Sequence, residues 1–152
     1  MNRKTKWLYI AAIFVVAISL TAFYIYKEYN RKNSDTAELE ADYTVMAPTI
    51  IREFETDDSL AGKKYTDKII LAEGIVKDIL KDDRGFYSVM LGDTTSMSSV
   101  KCSMDSIYNH EALKLQKGTY ATVKGVCAGF NVDELLGSDV ILVRCVIDNK
   151  NK

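Results

Sequence analysis

Hydrophobic and polar positions along the chain fall into three regimes. From Trp7 to Tyr26 the run WLYIAAIFVVAISLTAFYIY carries no charge and offers no polar face at any helical angle. Such a stretch predicts a helix that is apolar all round, and about 20 residues at about 1.5 Å each cover about 30 Å, the hydrocarbon thickness of a bilayer. Trp7 and Tyr9 at one end and Tyr24 and Tyr26 at the other suit the two interfaces. A cleaved signal peptide would be shorter in its apolar part and would end in a small-x-small site, for which Leu20-Thr21-Ala22 is a poor match. The expectation is a retained transmembrane anchor over 7–26 behind a short tail, 1–6.

Residues 27–42 are polar and mixed in charge, and read as a juxtamembrane linker. From 43 onward the pattern is that of a folded domain ending at 152. Pro48 suits a first helical turn, and Ile50, Ile51, Phe54, Leu60 and Ala61 recur at helical spacing until Gly62. This predicts one amphipathic helix. Beyond Lys68 the period becomes that of strands, predicted over Ile69–Leu80, Phe86–Leu91, Ser99–Met104, Thr119–Ala128 and Val140–Asp148. Gly74 marks a bulge or bend in the first of these. Residues 105–117 predict a short helix or turn, and 129–139 a loop. Alternation places Val100, Cys102 and Met104, then Ala121, Val123, Gly125 and Cys127, then Ile141, Val143, Cys145 and Ile147 on inward faces.

Charge changes the picture of partners. Beyond Lys32 there are 14 basic and 20 acidic residues, a formal charge of −6. A general nucleic-acid binder carries the opposite sign, because phosphate neutralisation drives that binding. Basic residues flank the apolar run equally, Arg3, Lys4 and Lys6 before it and Lys27, Arg31 and Lys32 after it. The N-terminal amine tips the balance toward a cytoplasmic tail and an extracytoplasmic domain, as a single-pass protein of the inner membrane. Three cysteines without a CxxC spacing and a single histidine, His110, supply no metal site. Gly-rich phosphate loop, GxSxG and HExxH motifs are all missing, so the sequence predicts no enzyme, no catalytic residue and no cofactor.

Five strands with an irregular or helical insertion after the third is the element order of an OB-fold barrel. The sequence therefore predicts a mainly β domain, a five-stranded OB-fold barrel preceded by an amphipathic helix and the N-terminal transmembrane helix. Ala61-Gly62-Lys63-Lys64-Tyr65, Gly74-Ile75-Val76, Val100-Lys101-Cys102, Gly118, Val123-Lys124-Gly125-Val126-Cys127 and Cys145-Val146-Ile147 carry a family resemblance. The chain resembles the tRNA_anti-like family of bacterial OB-fold envelope proteins over about 45–148. That resemblance implies the fold and an envelope setting, and it brings no agreed site.

OB-folds engage ligands on their second and third strands and on the loops joining strands one to two and four to five. Those regions here supply Lys81, Arg84, Phe86, Lys101, Phe130 and Asn131, two aromatics among three cations. They suit stacking and pairing with an oligonucleotide or a sugar polymer; the plainer reading is that Lys81 and Arg84 solvate a hairpin and Phe130 caps the barrel mouth. The expected partners are the membrane, through 7–26, and an envelope protein, peptide or glycan, with single-stranded nucleic acid as the alternative. The cysteines read as buried fillers. In the OB strand order the third strand neighbours the fifth, so a Cys102–Cys145 disulfide is the rival reading.

Overall fold

The computed structural model describes residues 7, 14, 16–24, 35–133 and 137–148. The chain divides into two compact units, 1–34 and 35–152. In the first, residues 16–24 are helical, with Val16, Ile18, Leu20 and Phe23 all exposed. Among the described residues no helix is long and apolar enough to cross a membrane. Much of the anchor expected over 7–26, the tail before it and the linker as far as residue 34 lie outside the described residues.

The second unit runs β1 (Tyr43–Met46), α1 (Ala47–Thr56), α2 (Asp58–Tyr65), β2 (Ile69–Lys81), β3 (Tyr87–Gly92), β4 (Ser99–Met104), a 3-10 helix (Asn109–Lys114), β5 (Tyr120–Asp133) and β6 (Gly137–Ile147). The strand order is β1-β2-β3-β4-β6-β5, and β2 also pairs with β5, which closes β2 to β6 into a five-stranded barrel. β4 and β6 run parallel and the other barrel pairs antiparallel. Closure removes the open edges that a small sheet would otherwise expose. The fold is the mainly β barrel, with helix before it, that the strand periodicity predicts.

β1 was not expected. It pairs in parallel with the first half of β2, Tyr43 with Ile70 through Met46 with Glu73, on the edge that β3 reaches only from Ile75 onward. The single predicted helix is two. Asp57 leaves the helical region (φ −155, ψ 94), and its carboxylate accepts the Leu60 N–H at 2.9 Å, so it ends α1 and N-caps α2. Gly62 lies inside α2 rather than ending it. β5 and β6 extend through most of the predicted 129–139 loop as a paired ribbon, Asn131 with Asp139 and Asp133 with Gly137.

The inward face of β6 also differs. Val140 and Leu142 are fully buried, while Ile141 and Val143 point outward. Arg144 adopts φ 52, and the register shifts there against both neighbours, so Arg144 is a bulge that inverts the alternation and returns Cys145 to the core. Opposite the bulge sits Gly125. A Cβ at that position would stand 2.5 Å from Cys145 Sγ, so only glycine fits.

α1 covers one mouth of the barrel with Ala47, Ile50, Ile51 and Phe54, all buried. Gly74 serves that contact, since a Cβ there would meet the Ala47 Cβ at 3.0 Å, whereas the bulge in β2 falls at Lys77. Tyr65, fully buried, lies edge-on to Tyr43 at 5.2 Å and 5.9 Å from Phe54. The unit begins before β1. Lys124, 6% exposed on the outer side of β5, donates to the carbonyls of Ala37 (3.0 Å) and Leu39 (2.8 Å). Tyr108 donates to Asp35, holding the start of the same segment. Residues 35–42, expected as linker, are therefore laid against the barrel.

All three cysteines are buried free thiols. Cys145 pairs in register with Met104, two rungs along from Cys102. The Cys102 and Cys145 side chains face each other within hydrogen-bond reach in the core.

Candidate ligand-binding face

The face an OB barrel offers to ligands is here the outer side of β3 and β4, with β6 beside them. Val89, Leu91, Val100, Cys102, Val140 and Leu142 turn inward and are fully buried. Strand alternation therefore turns Ser88, Met90, Lys101, Ser103 and Ile141 outward, each half-buried. Pairing sets them in rows: Met90, Lys101 and Ile141 side by side, and Ser88 opposite Ser103. This strip is apolar at its flanks, hydroxylated at one end and cationic at its centre.

The β2–β3 hairpin bounds the strip at its hydroxylated end. Asp82 accepts the N–H groups of Arg84 (2.9 Å) and Phe86 (2.8 Å), and Gly85 takes φ 90, which tightens the turn. Asn109, buried at the start of the 3-10 helix, grips it from below: its amide donates to Gly85 O at 2.9 Å and its oxygen accepts Tyr87 N–H at 2.7 Å. Lys81 sits 5.6 Å above the Tyr87 ring, and Phe86 is 42% exposed. Lys81, Arg84 and Phe86 thus share one rigid hairpin.

Phe130 and Asn131 lie at the far end. Phe130 stacks on Phe54 at 5.1 Å with rings 20° apart, so its face is occupied by α1. Asn131 is exposed in the β5–β6 ribbon. The six predicted residues therefore divide into a hairpin trio, a central lysine and a far pair of which only Asn131 is presented outward.

Lys77, which periodicity did not single out, proves to be a structural hub. At the β2 bulge its ammonium donates to Ser96 O (2.6 Å), Ser98 O (2.9 Å) and Ser99 Oγ (2.9 Å), closing the β3–β4 loop. Burial pushes its pKa down, with Asp139 and Asp93 countering. Burial likewise pushes Asp139 up, with Lys101 and then Lys77 countering. The burial of Lys77 and Lys124 gave no signal in the sequence, because a lysine in a strand ordinarily faces water.

Among the described residues no cysteine thiol is hydrogen-bonded to a histidine or a lysine. Burial pushes the Cys127 thiol up and the Cys145 thiol well up, so both stay protonated, and His110 is exposed. Among the described residues no group of His, Cys, Asp or Glu side chains is placed to hold a metal ion.

The sequence profile of the tRNA_anti-like family matches residues 1–147. No curated protein matches. Among solved structures, a Klebsiella pneumoniae lipoprotein named as a candidate nucleic-acid-binding protein is similar at 18% identity and TM-score 0.53, covering 70% of this chain and 92% of that one. This likeness is one of fold. Asparaginyl-tRNA synthetase from Pyrococcus horikoshii (16% identity, TM-score 0.38, 55% of this chain and 20% of that chain) and aspartyl-tRNA synthetase from Entamoeba histolytica (8%, 0.42, 77% and 23%) are more distant. The chain spans about a fifth of the length of those enzymes.

Proposed function

The chain belongs to the tRNA_anti-like family, and from that premise we propose that it is a membrane-anchored, non-enzymatic binding module of the bacterial envelope. The run 7–26 holds it in the inner membrane, and the barrel stands outside the cytoplasm, engaging a protein, peptide or glycan on its β3–β4 face. The uncharged apolar run, with exposed Phe14, Ile18, Leu20 and Phe23, supports the anchor. The protonated thiols and the isolated histidine support a role without chemistry.

One observation carries the choice of ligand: several of the domain's cations are engaged by partners within the chain, and its far aromatic is stacked on α1. Lys77 and Lys124 bind backbone carbonyls, Lys64 pairs with Glu53 at 2.7 Å, Lys117 with Asp78 at 2.6 Å, and Phe130 stacks on Phe54. A phosphate backbone needs several presented cations and bases need open aromatic faces, whereas a strip of Met90, Ile141, Ser88, Ser103 and one lysine suits a peptide or a glycan. Single-stranded nucleic acid is the second reading. The hairpin trio favours it, as does the name of the Klebsiella lipoprotein.

Titration of the full-length chain in detergent micelles with a labelled single-stranded oligonucleotide, at low and at physiological salt, separates the two. The expected result is no salt-dependent binding. Tight binding that weakens steeply with salt would replace the first reading by the second. Protease digestion of spheroplasts tests the topology, and an intact barrel in treated spheroplasts contradicts it.

A further inference from the structure

Ile107 and Leu113, at the turn before β5, are large aliphatic side chains left 75% and 61% exposed. Their exposure has a local cause. Tyr108 N–H donates to Asp105 O (3.1 Å), Glu111 N–H to Tyr108 O (2.9 Å) and Leu115 N–H to Ala112 O (3.1 Å). These bonds carry a repeat of three residues through the segment. Asn109 and Ala112 take the inward face and are buried. The same repeat sets Ile107, His110 and Leu113 along one outward ridge, with His110 exposed between the two aliphatic side chains. The neighbouring carboxylates are already engaged: Asp105 accepts Ile107 N–H at 2.9 Å, and Glu111 pairs with Lys114 at 3.2 Å. An apolar ridge on a turn that could as well be polar calls for a cover.

The place where the leading segment joins the barrel indicates the cover. Tyr108, next to Ile107, donates to Asp35, the first residue of the barrel unit. Tyr26, which ends the uncharged run, precedes Asp35 by only nine residues. Nine residues reach at most about 30 Å, roughly the width of a domain of this size. A face remote from Asp35 could meet a bilayer only with that connection drawn around the barrel, whereas the ridge lies on the side of entry. Two side chains are too few for a stable protein interface, which buries about 800 Å² on each partner. A lipid surface sets no such threshold when a short tether holds it at high effective concentration.

We propose that Ile107 and Leu113 form a second contact with the bilayer, seated in the headgroup region of zwitterionic lipid. The inference rests on the reading of 7–26 as a membrane anchor and adds a lipid-binding ridge that fixes which end of the barrel faces the lipid.

The test uses the full-length chain in phosphatidylcholine nanodiscs with an environment-sensitive fluorophore on one introduced cysteine. The native thiols are buried and do not compete for the label. His110→Cys carries the label on the ridge and leaves Ile107 and Leu113 in place; Val132→Cys carries it in the β5–β6 ribbon, at the other end of the β3–β4 strip. Doxyl-labelled phosphatidylcholine in the discs should quench the ridge label at least about twofold and the ribbon label hardly at all, equally at low and high salt. Ile107→Ser with Leu113→Ser should return the ridge label to the level of the ribbon label with an unchanged circular dichroism spectrum. Equal quenching at the two positions overturns the inference, as does quenching that survives the serine pair. A ridge label shielded from water yet untouched by doxyl lipid would mean a protein cover, and also overturns it. A chain that fails to enter the discs instead refutes the anchor, and the ridge contact falls with it.

Discussion

Gly125→Ala probes the joint on which β4, β5 and β6 converge. The added Cβ would stand 2.5 Å from Cys145 Sγ, 3.2 Å from Leu142 Cβ and 3.3 Å from Val143 O. Ordinary contact lies at about 3.5–4.0 Å, so the sulfur would have to retreat by about 1 Å. It has nowhere to go. Cys145 is fully buried, its strand is paired on both sides, and the Arg144 bulge fixes the direction in which its side chain enters the core. Overpacking of this kind costs about 1–3 kcal/mol, and a site closed on three sides belongs at the top of that range, about 3 kcal/mol. For a unit of this size that lowers Tm by about 10 °C.

A double-mutant cycle isolates the cause. Cys145→Ala removes the sulfur at a cost of about 1–2 kcal/mol, and in that background Gly125→Ala should cost less than about 1.5 kcal/mol. The assay is urea unfolding of the full chain in micelles, followed by far-ultraviolet circular dichroism. Tryptophan fluorescence is unsuitable, since the only tryptophan, Trp7, lies outside the barrel unit. A cost below about 0.5 kcal/mol in the wild-type background, or equal costs in both, would refute the close approach of Gly125 to Cys145.

Asn109→Ala strips partners from Gly85 O and Tyr87 N–H and should cost about 2–3 kcal/mol, with faster amide exchange confined at first to residues 82–87. Lys124→Met leaves the carbonyls of Ala37 and Leu39 without their ammonium; hydrogen exchange should rise across 35–42, and a segment as protected as before would show that the lysine does not hold it. Tyr108 donates to Asp35, which pushes its phenol up to about 12 from the usual 10.0. The folded state then keeps this proton longer than the unfolded chain does. The contribution is complete below about 10, drains as pH rises toward about 12, and should vanish from the alkaline stability profile in Tyr108→Phe. At the acid end the same hydrogen bond holds Asp35 below the usual carboxylate value. Its contribution is present above that value, is lost as pH falls through the folded pKa, and is absent in Asp35→Asn.

The strands were legible because a half-buried strand writes its period into the sequence: Ile70, Ala72, Val76 and Val100, Cys102, Met104 alternate with polar or partly exposed neighbours and are buried. What stayed illegible depends on contacts distant in sequence. The Arg144 bulge is fixed by two neighbouring strands at once and leaves no local mark, so the β6 alternation was read one residue out of phase before it. β1 is only four residues long, and its partner lies beyond two helices. The 129–139 stretch carries Gly129, Asn131, Asp133 and Gly137, residues that punctuate loops, yet cross-strand pairing carries it as ribbon. The hairpin trio could be placed because hairpin residues stay together in any fold. Phe130 could not, because only the packed α1 decides whether its ring is available.

An acidic barrel that spends its lysines on its own backbone behaves differently from one that spends carboxylates there. The β3–β4 loop and the 35–42 segment each present carbonyl oxygens to which a lysine ammonium donates, and one ammonium satisfies several such oxygens at once. Lys77 gathers the loop at the β2 bulge, and Lys124 gathers the leading segment on the outside of β5. The three cysteines remain thiols in the core, so this pinning fastens both segments without a disulfide. It also withdraws the ammonium groups of Lys77 and Lys124 from ligands at the surface. The requirements of folding and the proposed preference for a partner other than phosphate thus come from one allocation of lysines, and a change that returned those lysines to the surface would loosen two segments while moving the barrel toward phosphate.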